Sequence, residues 1–416
     1  MTANIAPSIL ESTLKKLSDA VFPDHGKIFG QAAFRLLSAM AGKGIPLVQV
    51  LAEGLREGRT SKKGCQERVS GWLDRYDFAG PVDRWLWNTA LAAIGRDTVI
   101  ALDGGDFSKE FGGTGMEGME MGYDASRAVL AMGHNLLAAA VVNGPRAKAL
   151  RLELLKGRKG LPRAERKLLG EIAAATKGDG IVACDRGFDN REFATHAAGL
   201  PVRTVVRVKE TGRDVFGTGR SVPAELASAP ACVATLQSPT RSQKAVIRWK
   251  EGSFPGLAGC YLPVLAVSST FDGCTLHFYG IGFGPFASPE ERRKAAVAVA
   301  NAYFCRWSVE VLYQDVKQAF GLEKARVRTF KRLRNLVALC VLAYEGLAHF
   351  LPACGDAVKR LEKAMKENFG VINLPFRSFV GNLRVLLGMT AIRWIAGRPK
   401  KKPPPGLSPL LPGFQW

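Results

Sequence analysis

The sequence predicts an α/β fold: a mixed sheet flanked by helices, with a β-rich segment in its second half and helical parts at both ends. Three observations carry this. Two short apolar runs, Thr98–Leu102 and Ile181–Cys184, each stop at an aspartate, as buried strands do when they deliver a polar group to their carboxyl end. From Pro201 to about Phe283, strand-like stretches alternate with Gly, Pro and Ser breaks. Before residue 95 and after Ser288 the apolar residues recur at helical spacing instead.

Composition narrows the function classes. With 416 residues, 47% of them hydrophobic, the chain can bury a sizeable core in about two to three domains. Its formal charge of +21 points to nucleic acid before an anionic membrane surface. The excess is uneven: Val311 to Trp416 holds 18 Lys/Arg against 6 Asp/Glu, a net +12. Eight cysteines are scattered without any C-x-x-C pair, which fits reduced, buried thiols in a cytosolic protein rather than a disulfide frame or zinc site. No signal-peptide pattern opens the sequence. The longest apolar stretches, Ala128–Val142 and Leu336–Leu351, are broken by His134, Asn135 and Glu345, so no bilayer-spanning helix is expected. A soluble intracellular protein follows.

Taken in order, helices are expected over Ser8–Phe22, Phe29–Ala41, Pro46–Leu55 and Gln66–Tyr76, the last capped by Ser61. Arg59, Lys62, Lys63 and Arg68 surround that helix start and read either as a phosphate-facing, helix-turn-helix-like unit or as a solvated charged face mixed with Glu53, Glu57 and Glu67. The first strand ends in Asp103-Gly104-Gly105-Asp106, an active-site arrangement or a plain aspartate-glycine turn. Gly112–Gly122 reads as a mobile loop lacking a phosphate-cradling G-K-[ST]. A strand over Asn135–Val142 closes at Asn143-Gly144; helices follow over Arg146–Lys156 and Arg163–Lys177, the latter stopped by Gly178. Asp185 ends the next strand. Further strands are expected at Val202–Lys209, Ala231–Leu236, Lys244–Trp249, Tyr261–Val267 and Cys274–Phe283.

Ser288-Pro289-Glu290-Glu291 then signs a helix start, with Gly321 as its stop and the run either continuous or split before Asn301. Beyond it come a basic strip, Lys324–Arg334, an apolar helix, Asn335–Phe350, two amphipathic helices, Ala357–Asn368 and Pro375–Leu387, and a basic Pro-rich tail, Arg398–Trp416, expected to be disordered.

The stretch Asn301–Gly321 organises these pieces. With Tyr303 as origin, a turn of about 100° per residue puts Arg306, Glu310 and Lys317 at roughly 300°, 340° and 320°, one polar row. Cys305, Val309, Leu312, Val316 and Phe320 form the neighbouring buried stripe. The row suits a cleft that receives an acidic partner; the alternative is a solvated edge holding an Arg306–Glu310 i,i+4 pair. Asp103, Asp185 and Glu310 together make a three-carboxylate set of the kind that binds hard divalent cations and supports two-metal phosphodiester chemistry.

These motifs resemble the bacterial insertion-sequence transposases that carry a Tyr-Arg-Glu-Lys box. Tyr303-x2-Arg306-x3-Glu310-x6-Lys317 matches the box, and Asp103 and Asp185 match the first and second catalytic aspartates. The resemblance covers roughly residues 30 to 350, with two departures: an aromatic, glycine-rich strand Leu276–Gly282, and Gly187 where an acidic residue is familiar. It implies an RNase H-like DDE catalytic domain, and the 124 residues between Asp185 and Glu310 then contain a β-rich insertion. Five segments are expected: a helical DNA-binding part, 1–95; catalytic domain, first part, 96–210; insertion, 211–284; catalytic domain, second part, 285–350; and a helical, basic C-terminal region, 351–416.

By the same resemblance the chain excises and inserts an element by cut-and-paste. Asp103, Asp185 and Glu310 would hold two Mg²⁺ ions, with Mn²⁺ as a substitute. Arg306 and Lys317 would grip phosphates, with Tyr303 at the cleavage site. Phe278, Tyr279 or Trp249 would stack a flipped base, or are core aromatics. The implied partners are double-stranded DNA, as terminal inverted repeats and target, and a second copy of the chain, on the bacterial nucleoid in the cytoplasm. Two other readings stay open: a silent, domesticated DNA-binding relative, and a glycosidase working through Asp103 and Asp106.

Overall fold

A computed structural model describes residues 5–43, 48–55, 61–108, 115–124, 128–144, 146–157, 159–209, 220–257, 260–271, 273–322, 325, 327–350 and 380. The sheet is registered on β1 (Val99–Ser108). It pairs antiparallel with β3 (Val129–Val142), Asp103 opposite Ala138, and parallel with β5 (Ile181–Cys184), Leu102 beside Cys184. β5 in turn is parallel to β6 (Arg203–Arg207). β3 also carries β2 (Glu120–Asp124) and β4 (Lys148–Leu155). Three parallel strands beside an antiparallel meander give the RNase H-like order β4-β3-β1-β5-β6.

The sheet does not stop there. β6 pairs antiparallel with β10 (Cys274–Ile281), followed outward by β9 (Tyr261–Phe271), β8 (Ser242–Pro255) and β7 (Ala231–Gln237). The result is one mixed sheet of ten strands.

Strand side chains alternate between faces, and two cores follow. Val99, Ala101, Ala183 and Phe278 point to one face, which is covered by α1 (Ile5–Val21), α2 (Lys27–Lys43), α4 (Lys62–Arg75), α5 (Ala79–Leu91), α9 (Pro289–Ala319) and α10 (Phe330–Glu345). Ile100, Leu102, Val182 and Tyr279 point to the other, beneath α6 (Leu161–Thr176), α7 (Arg191–Ala198) and α8 (Val222–Leu226). A short α3 (Val48–Gly54) packs on α4.

Local chemistry sets the helix ends. Ser61 Oγ accepts from Gly64 N–H, and Ser288 Oγ from Glu291 N–H, each satisfying a donor that the first turn leaves free. Lys177 ends α6 in the left-handed region, and Gly321, at φ +57°, follows the end of α9. α9 runs unbroken for 31 residues and seats against β10 at Gly280, where a Cβ would stand 2.7 Å from Val299 Cγ2. That contact accounts for a glycine in an otherwise bulky strand. The N-terminal helices are fixed to α10 by Asn335, whose Oδ1 accepts from Phe78 and Ala79 N–H while its Nδ2 donates to Leu73 and Tyr76 carbonyls.

Several expectations need correction. Arg146–Lys156 is not a helix: Lys148–Leu155 is β4, where Leu152 and Leu154 are buried at strand spacing in one core and Leu150, at a register shift opposite Ala139 and Ala140, in the other. A run of alternating leucines with charges between them satisfies both periods over so few residues. β1 continues through Asp103–Asp106 to Ser108, so these residues form no turn. Asp103 and Asp106, three apart on a continuous strand, point to opposite faces, which removes the paired-carboxylate glycosidase geometry. Glu120–Gly122 belong to β2, while residues 112–114 lie outside the described ones, as do Arg59, Ala357–Asn368, most of Pro375–Leu387 and the tail. β8, at 14 residues, is more than twice as long as Lys244–Trp249; α5 falls in the stretch before residue 95 read as helical but given no bounds of its own, and α7 and α8 were not anticipated. The apolar run Phe330–Phe350 is long enough to cross a membrane by composition, yet 83% of its window is buried within the protein.

Glu345, at the end of α10, is fully buried and accepts from Ala149 N–H at 2.7 Å. Burial pushes its carboxyl up to about 8, against that hydrogen bond and the Lys148 charge. Its folded value exceeds the unfolded one, so its contribution to stability is full below about pH 4 and is lost as pH rises through about 8. Glu345→Gln keeps the acceptor and removes the charge. It should raise the melting temperature relative to wild type at pH 9 but not at pH 5; an equal effect at both would refute the assignment.

Candidate active site

Parity brings the site together. In β1 the odd residues face α9, and so do those of β5. Because Leu102 lies beside Cys184, the next residue on each strand, Asp103 and Asp185, reaches the same face side by side. Asp185 opens a one-turn 3-10 helix, Arg186–Phe188. Glu310 comes from α9, which crosses above both strand ends.

The box residues surround these carboxylates. Tyr303 O–H donates to Asp185 Oδ1 at 3.1 Å, and its ring packs on Phe278 at 4.5 Å. Arg306 Nη2 pairs with Glu310 Oε1 at 2.5 Å, and its Nη1 stands 3.9 Å from Asp103 Oδ2. The guanidinium lies 5.0 Å from the Tyr303 ring centroid. Arg306 is 4% exposed, so the pair is no solvated edge. Among the described residues, its Nε and Nη1 have no hydrogen-bond partner. Lys317 Nζ donates to the Asp106 carbonyl at 3.0 Å and so ties the helix to β1.

Electrostatics follow from crowding. Burial pushes Asp103 up to about 7; Arg306 pulls it down, and the neighbouring Asp185 and Glu310 push it up again. Burial works against the charge of Arg306, but Tyr303, Asp103, Asp185 and Glu310 outweigh it and hold the guanidinium protonated. Burial also raises the Tyr303 phenol, so it stays a hydrogen-bond donor.

Several participants were invisible in the sequence pattern. Arg207 on β6 stands 3.9 Å from Asp185. With Asp185, Arg241, Tyr303, Arg306 and Glu310 it lines a cleft of about 460 Å³, which Arg186 and Trp307 also border. Tyr313, one turn past Glu310, donates its O–H to the carbonyls of Asp103 and Leu136, both at 3.1 Å. Trp307 is 53% exposed; its position off the buried stripe was a usable signal, at about 40° from Tyr303 against roughly 180–260° for the stripe.

Other expected residues lie elsewhere. Phe278 and Tyr279 are each 1% exposed and present no ring face to a base. Phe278 sits under Tyr303, and Tyr279 packs on Phe254 and donates to Asp189. Trp249 is half-buried against the core. Lys62 pairs with Glu53 at 2.6 Å and Lys63 with Glu67 at 3.9 Å, all exposed, and Arg68 is exposed beside them.

The donor set fits a hard divalent cation in chemistry: Asp185 and Glu310 line the cleft and Asp103 is buried beside them, its carboxyl raised to about 7 first by burial and then by those two neighbours. Among the described residues, no three ligand side chains are gathered closely enough to enclose an ion, and Glu310 is drawn instead to Arg306.

Arg306→Ala should therefore destabilise the protein in EDTA. The loss expected is on the order of 2 kcal/mol, below the roughly 3–5 kcal/mol of a fully buried pair because Glu310 keeps some solvent contact. Urea unfolding measures it; a loss under about 0.5 kcal/mol would mark the pair as surface-like.

Comparison with known proteins adds three findings. A family model described as "Transposase DDE domain" matches residues 98–345, more than half of the chain. No curated protein matches the sequence. A solved structure, titled "Cryo-EM structure of piggyBac transposase synaptic complex with hairpin DNA (SNHP)", is similar at 11% identity, over 96% of this chain and 83% of that one, with a TM-score of 0.42.

Proposed function

Because the chain belongs to the transposase DDE-domain family, we propose that it cuts DNA and joins DNA strands at the cleft between β1, β5 and α9. Asp103, Asp185 and Glu310 are the catalytic carboxylates in this reading. The observation that carries it is their convergence from two adjacent parallel strands and one crossing helix, Asp185 and Glu310 lining a cleft rimmed by arginines and Asp103 joined to Glu310 through Arg306.

The three carboxylates would hold Mg²⁺, or Mn²⁺ in its place; two such ions activate an attacking oxygen and stabilise a leaving one in phosphodiester cleavage. The chain's own side chains do the rest. Arg306 and Arg207 bind phosphate oxygens beside the carboxylates, where a guanidinium can donate two parallel hydrogen bonds. Tyr303 fixes the Asp185 carboxylate through its hydroxyl. Tyr313 and Lys317 anchor α9 to the β1 backbone, which sets Glu310 against Asp103. The exposed Trp307, rather than Phe278 or Tyr279, is the ring available to a base.

Lys62, Lys63 and Arg68 on α4 supply phosphate contacts to a flanking duplex. The substrate is an insertion-sequence element with inverted terminal repeats, moved by cut-and-paste. Two ends must be cut and joined together, which calls for two copies of the chain in the DNA complex.

The test uses purified protein and a supercoiled plasmid bearing the candidate element. With Mg²⁺ or Mn²⁺, double-strand breaks should appear at the element ends. Asp103→Asn, Asp185→Asn and Glu310→Gln should each reduce cutting by at least about 100-fold, a loss typical of essential catalytic groups, while leaving DNA binding intact. Unimpaired cutting by any of the three removes that residue from the site. Wild type that binds the ends and never cuts would make the chain a DNA-binding relative instead.

A further inference from the structure

We infer that the turn joining β7 to β8 is a phosphate clamp, with Arg241 as its ligand and α9 as its mount. The inference rests on the DNA reading above and adds a residue outside the box. The turn is closed on itself: Ser238 N–H donates to the Arg241 carbonyl at 2.8 Å, and Arg241 N–H to Ser238 Oγ at 3.2 Å. It is also latched to the helix that carries Glu310. Gln237 N–H donates to Asn301 Oδ1 at 2.7 Å, and Cys305 S–H to the Gln237 carbonyl at 3.3 Å.

This mounting aims one side chain. The Arg241 guanidinium lies 4.1 Å from the centroid of the Phe304 ring, and that ring is itself only 4% exposed. Stacking on an aromatic face leaves the in-plane N–H donors free at the guanidinium edge. Among the described residues no carboxylate pairs with Arg241. It opens on the cleft that Asp185, Arg207, Arg306 and Glu310 also line. An oriented guanidinium with open donors matches a phosphodiester oxygen pair. Its distance along the chain from the carboxylates hides it from any motif; only the β7–β8 register and the latch bring it to the cleft.

Full-length protein in EDTA, titrated onto a fluorescent terminal-repeat duplex between about 50 and 200 mM salt, tests this. Each phosphate contact contributes about 0.9 to the slope of log affinity against log salt. Arg241→Ala should weaken binding several-fold and reduce the slope by about that amount. Arg241→Lys should keep the slope and bind with intermediate affinity. Asn301→Ala, which removes no charge, should also weaken binding. Arg163→Ala, an exposed cation on α6 across the sheet, should leave the slope unchanged.

A wild-type slope for Arg241→Ala in folded protein, checked by circular dichroism, overturns the clamp. So does an equal slope change for Arg163→Ala, which would reduce Arg241 to bulk charge. Wild-type binding by Asn301→Ala overturns the latch. If wild type itself shows no salt-dependent duplex binding, the DNA reading falls and the clamp with it.

Discussion

Three carboxylates cannot share a partly buried cleft unless positive charge or protons come with them, and this constraint shapes everything around Asp103. Burial and two acidic neighbours drive that carboxyl towards its protonated form, while Arg306 spans Glu310 and Asp103 from within α9. Arg207 and the Tyr303 hydroxyl flank Asp185. The compensation is supplied from β6 and from α9, so the site exists only when sheet and helix are docked. Among the described residues, two guanidinium nitrogens of Arg306 lack hydrogen-bond partners, so the arrangement neutralises charge there without completing every polar contact.

Docking is in turn a matter of packing. α9 is buried on most of its circumference, between the sheet, β7 and α10. Gly280 lets it approach β10, and Tyr313 and Lys317 fasten it to backbone carbonyls of β1. Asn335 satisfies all four of its amide hydrogen-bonding positions across α10, α4 and α5, joining the N-terminal helices to the same core. A half-satisfied amide there would cost stability; a complete one specifies the join.

Legibility in the sequence followed locality. Asp103 and Asp185 could be found because a short apolar run ending in a carboxylate is a local pattern, and Glu310 because its partners recur on one helix. β4 was misread, since eight residues are too few to separate a period of two from one of 3.6 when leucines dominate. Phe278 and Tyr279 stayed open between a base-stacking and a core role because alternation along β10 shows that they face opposite sides but not that both sides are covered; both are core aromatics. Arg207 and Arg241 had no local signal at all: each is placed by strand register and by contacts with α9 that only the assembled sheet creates.

The unbroken course of α9 has a metrical consequence. Tyr303 and Lys317 are fourteen residues apart on one continuous helix, about 21 Å at 1.5 Å per residue. A nucleic-acid strand advances about 3.4 Å per nucleotide, so the box spans roughly six nucleotides of any strand lying along it. A break between Tyr303 and Lys317 would have left that interval adjustable. As a single rod, α9 sets a fixed gauge.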